Sequence, residues 1–168
     1  MNERQRTVAV LDDQPDMREA LAVIADDSFK MELFGERRQF LDFVAQHPGP
    51  LVLIVDHDLG PGVIGYDIVR EVRRTRLDGL LLPIIYLTGR ESEAGYLTNE
   101  MNDPFASPSV YVKKTSLGSI DLAALVNSYF IMAESYGDLA DGQAATRASR
   151  FFAEQLDRVT TEWDSHES

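Results

Sequence analysis

The sequence contains no cysteine, which excludes a disulfide framework, thiolate metal sites and a thiol nucleophile, and fits a reducing compartment. Basic residues are also scarce, because 16 Lys and Arg stand against 28 Asp and Glu and leave a formal net charge of -12. Such an acidic chain lacks the positive surface that neutralises phosphates in nucleic-acid complexes. Nucleic acid is therefore not expected as a partner.

Long apolar runs and glycine-rich nucleotide motifs are missing as well. The apolar runs are far too short to span a bilayer, so no membrane association is expected. The first six residues are polar and charged where a signal peptide would be apolar, which predicts a cytoplasmic location. Neither a phosphate-cradling loop ending in Lys-Ser or Lys-Thr nor a dinucleotide fingerprint is present.

Short apolar runs alternate with longer stretches of helical periodicity, the pattern of βαβ units around a parallel sheet. Five such units are present, and 168 residues with 44% hydrophobic content can bury one core. The runs at 51–55 and 80–87 are nearly continuous in apolar residues, which predicts central strands covered on both faces. The more polar run at 29–34 predicts an edge strand.

Helical periodicity is clearest at 66–76, where apolar residues share one face and charged residues the other. A weaker pattern predicts a helix at 91–102, followed by a proline-containing link at 102–109. A helix at 119–132 closes the predicted first domain, 1–132.

The remaining residues, 133–168, form a predicted acidic helical extension with three basic and eight acidic residues. Within it, apolar residues at spacings of four, three and four predict one apolar stripe on a helix over 143–163. The stripe needs a partner, which is either the domain itself or a second copy of the chain in a homodimer. Its residues are Phe152, Leu156, Val159 and Trp163.

Polar residues stand at the carboxyl ends of four apolar, strand-like runs. In an open parallel sheet, ligands bind beyond the carboxyl ends of the strands, so these side chains could converge on one site. Three carboxylates, a hydroxyl and an ammonium group together indicate a site for a metal and a phosphoryl group. The residues are Asp12 and Asp13, Asp56, Thr88 and Lys114.

The acidic residues admit both a structural and a chemical interpretation. Asp12 and Asp13 could be a helix N-cap and a first-turn acid, whereas Asp56 ends a fully apolar run and favours a function. Bringing the three carboxylates together would raise at least one pKa unless a cation intervenes. Oxygen ligands without a His or Cys cluster predict Mg²⁺. A carboxylate beside Mg²⁺ can accept a phosphoryl group.

Four segments together resemble the receiver domain of bacterial two-component response regulators, over roughly 7–132. The resemblance implies a flavodoxin-like, doubly wound α/β fold: a five-stranded parallel sheet in the order 2-1-3-4-5, with helices on both faces and the helical extension after it. The segments are VAVLDDQPDMREAL, LVLIVDHDLGPGVIGYDIVREVR, PIIYLTGRE and VYVKKT.

The resemblance also implies roles for individual residues. Asp56 would accept a phosphoryl group from a sensor histidine kinase or a histidine phosphotransfer protein. Asp12 and Asp13 would hold Mg²⁺ together with Asp56 and the backbone carbonyl of Asp58. Arg90, with the Asp58 side chain, occupies a position that tunes the lifetime of the phosphoryl group in this family.

Activation in this family moves a hydroxyl and an aromatic side chain. Thr88 would be drawn to the phosphoryl group, Lys114 would contact it, and Tyr111 would turn inward. The aromatic position lies three residues before the family lysine, which favours Lys114 over Lys113. The chain is therefore expected to act through an unknown downstream protein, and not as an enzyme apart from slow autodephosphorylation.

The sequence departs from the family pattern near the acceptor. Gly60 replaces the usual proline, with Pro61 one place later and Gly65 displaced likewise, which predicts one extra residue in the loop. The link at 102–109 is also longer than usual.

Two other functions fit part of the same pattern. The Asp56-His57-Asp58 segment also resembles the nucleophile and acid pair of haloacid-dehalogenase-type phosphatases. In those enzymes the acidic metal pair comes after the lysine, whereas here it precedes Asp56. The other alternative is a receiver-like binding module that is not phosphorylated.

Overall fold

Five parallel strands form one sheet in the order β2-β1-β3-β4-β5, which confirms the predicted fold class. The structure, a computed structural model, describes residues 5–76, 79, 82–89 and 109–139. The polar run predicted as an edge strand does lie at the edge. The strands are β1 (Thr7–Leu11), β2 (Lys30–Phe34), β3 (Leu51–Asp56), β4 (Ile84–Thr88) and β5 (Ser109–Lys113).

The local sequence explains the start of the first helix and the end of the second. The first opens on a proline, whose fixed φ suits the first helical turn, and the second ends before the His-Pro-Gly-Pro segment. The last helix begins later than predicted and continues beyond 132. The helices are α1 (Pro15–Ala22), α2 (Arg37–Gln46), α3 (Gly65–Thr75) and α4 (Leu122–Leu139), with a 3-10 turn at Lys114–Ser116.

Side chains alternate between the two faces of the sheet and form two buried layers. One layer packs against α2 and α3, and the other against α1 and α4. Because β1, β3 and β4 are buried on both faces, their sequences are nearly continuous in apolar residues. The first layer includes Leu11, Leu53, Val55 and Tyr86, and the second includes Val10, Ile54, Ile85 and Leu87.

Arg73 departs from the predicted pattern of a charged outer face on α3, because its side chain is buried. Its Nη1 donates to the backbone oxygen of Gly79 at 2.8 Å, and its Nη2 donates to Ser109 Oγ at 3.2 Å. These bonds satisfy polar hydrogens that burial removes from water. Arg73 therefore joins the segment after α3 to the start of β5.

Arg6, just before β1, is joined to Glu134 on α4. Arg6 Nε donates to Glu134 Oε1 and Arg6 Nη2 to Oε2, both at 2.7 Å, and the guanidinium lies 5.6 Å from the ring centre of Phe130. This two-pronged pair holds α4 at the amino end of β1.

Several predicted features lie outside the described residues. They are the helix at 91–102, most of the link at 102–109, and the 143–163 helix with its apolar stripe. Within the described ranges, no helix has the length and apolar character needed to cross a membrane.

Candidate functional site

Asp12 and Asp13 lie where the chain leaves β1. The backbone N–H of Asp12 donates to Phe34 O at 3.1 Å, one step beyond the last paired residues of β1 and β2. Asp12 is fully buried and Asp13 is exposed. Asp12 Oδ1 accepts a bond from the backbone N–H of Gln14 at 2.9 Å, which fixes one end of its carboxylate.

Asp56 is the last residue of β3 and is buried. Its Oδ1 accepts a bond from the backbone N–H of Asp58 at 3.2 Å. The next residue, His57, donates its backbone N–H to Leu87 O at 2.7 Å, which holds the end of β3 against β4. The carboxylate is therefore fixed at the edge of the sheet.

Lys114 follows β5 and opens the 3-10 turn, which carries its side chain back to the acidic residues. Its Nζ lies 2.9 Å from Asp12 Oδ2 and 2.9 Å from Asp56 Oδ2. Lys113, the alternative lysine, is exposed. Burial lowers the pKa of Lys114, but its bonds to Asp56 and Asp12 outweigh burial and raise that pKa.

The three carboxylates have the geometry of a cation site. Oxygen atoms of Asp12, Asp13 and Asp56 all lie within 4.8 Å of one another. Burial raises the pKa of Asp56 from its ordinary 3.8 to about 6; the hydrogen bond from Lys114 opposes this rise, and the charge of Asp12 adds to it. A hard divalent cation would stabilise the ionised carboxylate against burial and against the charge of Asp12, so the donor set fits a metal.

The raised pKa of Asp56 predicts that the ionised carboxylate lowers the free energy of unfolding of the metal-free protein, by an amount that depends on pH. The unfolded chain releases this proton near pH 4 and the folded chain near pH 6, so stability falls as pH rises between these values and stays low above them. At pH 7.5 in EDTA, Asp56→Asn is expected to raise the free energy of unfolding by about 1–3 kcal/mol. Urea unfolding at pH 4 and pH 7.5 measures it.

A matched control separates this effect from the loss of one negative charge. Asp27→Asn removes an exposed carboxylate outside the site. A gain of equal size in Asp27→Asn, or a gain in Asp56→Asn that is no larger at pH 7.5 than at pH 4, would contradict the assigned cause.

The segment after Asp56, for which one extra residue is predicted, forms a tight turn. Asp58 forms an antiparallel bridge with Ile64, and Leu59 donates its N–H to Val63 O at 3.1 Å. Gly60 and Gly62, with φ of 107° and 73°, supply the left-handed backbone at this turn.

Gly65 begins α3 directly against the end of β3. A Cβ placed there would lie 2.2 Å from Asp56 O and 2.9 Å from Val55 Cγ1. Glycine therefore lets α3 approach the backbone of the candidate acceptor.

The remaining predicted site residues, Thr88, Tyr111 and Arg90, do not all lie beside the carboxylates. Thr88 ends β4 at the same edge of the sheet and is buried, opposite Lys113 in the register. Tyr111 lies further back on β5, stacked on Tyr86 with ring centres 4.6 Å apart. Arg90, predicted together with Asp58 to tune the lifetime of the phosphoryl group, lies outside the described residues.

Arg18 is not predicted as a site residue from the sequence. It lies on α1, and its Nη1 donates to the backbone oxygen of Asp12 at 2.7 Å. The sequence signal for it is weak, since an arginine on an exposed helix usually needs no partner beyond water. The contact depends on how the loops after β1 and β2 meet.

Comparison with known proteins gives a fold but no sequence family. No protein-family model matches the chain, and no curated protein matches it. Among solved structures, a response regulator receiver domain protein from Clostridium thermocellum matches with 19% identity and a TM-score of 0.64, covering 78% of this chain and 98% of that protein. A CheY-like receiver domain protein from Methanospirillum hungatei JF-1 matches with 15% identity and a TM-score of 0.63, over 79% and 98%.

A structure described as an adenylate cyclase from Rhodopirellula baltica also matches, with 16% identity and a TM-score of 0.66, over 80% of this chain and 93% of that one. The chain thus has the flavodoxin-like fold that these response regulator receiver structures also have. At these identities the likeness establishes the fold, and the chemistry has to be argued from the site.

Proposed function

We propose that the protein is a phosphoryl-accepting signalling switch of a two-component phosphorelay, with Asp56 as the acceptor. The observation that supports it most is the position of Lys114 Nζ, 2.9 Å from both Asp12 and Asp56. With Asp13 beside them, one edge of the sheet brings together carboxylate oxygens that could act as nucleophile and as metal ligands, and a positive charge. Phosphoryl transfer to a carboxylate requires these three components.

In the proposed step, an oxygen of Asp56 attacks the phosphorus of a phosphohistidine on a sensor histidine kinase or a histidine phosphotransfer protein. The O–P bond forms, the P–N bond breaks, and the imidazole leaves with the bonding electrons. The attacking carboxyl must be ionised, and with a pKa of about 6 Asp56 is mostly ionised at neutral pH. Asp12, Asp13, Asp56 and the backbone carbonyl of Asp58 would hold Mg²⁺, which supplies positive charge to the incoming phosphoryl group.

Lys114 and Thr88 would stabilise the phosphorylated state. Lys114 Nζ already contacts the carboxylate oxygen of Asp56, so a phosphoryl group on this residue comes within reach of the ammonium. Thr88 ends the neighbouring strand at the same edge, and its hydroxyl can donate to a phosphoryl oxygen.

The output of the switch would be a change of protein partner. Tyr111 stacks on Tyr86, and its ring centre lies 6.0 Å from that of His57, the residue after the acceptor. A change at Asp56 can therefore reach Tyr111 through one intervening side chain. We infer a signalling protein of the cytoplasm that acts by contact with a downstream protein and has no catalytic turnover beyond slow autodephosphorylation.

The test is chemical phosphorylation followed by intact-mass spectrometry. With acetyl phosphate or phosphoramidate and Mg²⁺, the wild-type protein is expected to gain one labile phosphoryl group, and Asp56→Ala is expected to gain none. Asp58→Asn is the matched control, because it changes the neighbouring carboxylate while leaving the acceptor and its metal-binding carbonyl in place.

The alternatives give different results in the same experiment. A wild-type protein that gains no phosphoryl group in the presence of Mg²⁺ contradicts the proposal and leaves the unphosphorylated binding module. Steady hydrolysis of a simple phosphomonoester that is lost in Asp58→Asn establishes the phosphatase instead. Modification that persists in Asp56→Ala shows that another residue is the acceptor.

A further inference from the structure

The guanidinium of Arg18 lies between the carbonyl of Asp12 and Gly35, and this position is called its seat below. Its Nη1 donates to Asp12 O at 2.7 Å. It also lies against Gly35, the residue after β2, where an added Cβ would meet Arg18 Nη1 at 2.9 Å, Cζ at 3.1 Å and Nη2 at 3.3 Å. The three atoms nearest to that added Cβ all belong to the guanidinium, so the missing side chain of Gly35 creates the seat.

The bond from Arg18 fixes the peptide plane that joins Asp12 to Asp13. The carbonyl of Asp12 belongs to this peptide, so its direction fixes ψ of Asp12, the dihedral that sets where the chain places Asp13 relative to Asp12. The N–H of Asp12 is bonded to Phe34 O, and its Oδ1 to the N–H of Gln14. With Arg18 on the carbonyl, the backbone of Asp12 is held on both sides.

Such a restraint matters because both flanking residues are carboxylates of one cluster. Asp13 is exposed, so packing restrains its side chain less than that of buried Asp12. Its direction depends strongly on the backbone that carries it. Residues that orient metal ligands from behind commonly change metal affinity when they are removed, although they never touch the ion.

We propose that Arg18 is a positioning residue that sets the affinity of the Asp12, Asp13 and Asp56 cluster for a divalent cation, and that Gly35 is required to seat it. This inference rests on the proposed metal site. It adds to that site Arg18 of α1 and Gly35 of the loop between β2 and α2. Arg18 acts through the Asp12 peptide and takes no part in the transfer step.

The test is a double-mutant cycle on Mg²⁺ affinity, in which Mg²⁺ alone is the probe. The half-saturating concentration, Kd, is obtained by fitting the increase in the free energy of unfolding with Mg²⁺ concentration to RT ln(1 + [Mg²⁺]/Kd). Arg18→Ala is expected to raise this concentration roughly tenfold. Gly35→Ala keeps the charge but obstructs the seat, and we expect an increase of about threefold.

The two substitutions should not be additive. In the Arg18→Ala background the added methyl group of Gly35→Ala has no guanidinium to displace, so a further change of less than about twofold is expected. Arg38→Ala controls for the lost positive charge, since that side chain is 93% exposed on α2. It should leave the half-saturating concentration within about twofold of wild type.

A second measurement separates positioning from a general loss of structure. In phosphorylation by acetyl phosphate, Arg18→Ala should raise the half-saturating Mg²⁺ concentration while the rate at saturating Mg²⁺ stays within about twofold of wild type. A residue needed for the chemistry would lower the saturated rate. A residue needed only for folding would lower the free energy of unfolding and leave the Kd for Mg²⁺ unchanged.

Three results would overturn the inference: Arg18→Ala and Arg38→Ala shifting Mg²⁺ affinity equally, Gly35→Ala having the same effect in both backgrounds, or a lowered saturated rate in Arg18→Ala. Failure of the proposed function is distinguishable. A wild-type protein that binds Mg²⁺ but takes no phosphoryl group contradicts the switch, while the binding cycle still decides the role of Arg18.

Discussion

In the metal-free protein at pH 7.5, Lys114→Met is expected to lower the free energy of unfolding by about 3–5 kcal/mol, the usual cost of leaving buried charge without its partner. Lys114 Nζ contacts two buried carboxylates, Asp12 and Asp56, at 2.9 Å each. Methionine keeps the length of the side chain but removes the ammonium. Urea unfolding in EDTA measures the loss.

The loss should depend on both pH and metal. Without the ammonium, which lowers the pKa of Asp56, the Asp56 carboxylate binds a proton more readily in the folded state, so the deficit should shrink as pH falls towards 4. Mg²⁺ should also reduce it, because a cation would replace the missing charge. Lys113→Met is the matched control, since it removes the exposed neighbouring lysine. A deficit that is equal in both variants, or that is unchanged by acid and Mg²⁺, would contradict the role of Lys114.

Gly65→Ala is expected to lower the free energy of unfolding by about 3 kcal/mol or more, because overpacking against backbone cannot be relieved by a rotamer change. The added Cβ would lie 2.2 Å from Asp56 O and 3.1 Å from Asp56 C. Relief requires α3 to move away from β3, which would also disturb the bond from Gly65 N to His57 O at 2.8 Å. Urea unfolding with and without Mg²⁺ is the measurement.

The control for this glycine is Gly118→Ala. Nothing lies within 4 Å of a Cβ at Gly118, and its φ is not in the left-handed region, so the substitution should change stability by less than about 1 kcal/mol. If Gly65→Ala proves as mild as Gly118→Ala, α3 is free to shift from the end of β3, and the close approach has no energetic role.

The sheet could be predicted from the sequence because burial on both faces leaves a strong mark. The runs that form β3 and β4 are apolar at successive positions, as strands between two layers of helices must be. Because these runs are so uniformly apolar, the polar residues at their ends, Asp56 and Thr88, are easy to identify in the sequence. A parallel sheet then places those ends at one edge without further information.

Arg18 and Arg73 could not be predicted from local pattern because their contacts are made across the chain. Arg73 shares a helix with exposed charges, and only the return of the chain at Gly79 and Ser109 buries it. Arg18 reaches Asp12 O and lies against Gly35 because β1 and β2 are paired with Leu11 opposite Phe34. Helical periodicity carries no information about strand register.

The turn after Asp56 was predicted to hold one more residue, but its form depends on backbone angles. Gly60 and Gly62 both adopt positive φ, and together they close the bridge from Asp58 to Ile64. A sequence with glycine at these positions permits such a turn without requiring it. The roles of Asp56, Lys114, Thr88 and Tyr111 in signalling remain predictions for the experiments above.

The pair between Arg6 and Glu134 ties α4 to the end of β1 that lies opposite the carboxylate cluster. Arg6 precedes β1, so Glu134 lies at the amino end of a strand whose carboxyl end leads to Asp12. A five-residue strand spans roughly 16 Å. Glu134 of α4 is therefore tied to the domain a full strand length from Asp12 and the carboxylate cluster. Under the proposed function, a change at Asp56 would have to act along β1 or α4 over this distance to reach the arginine–glutamate pair.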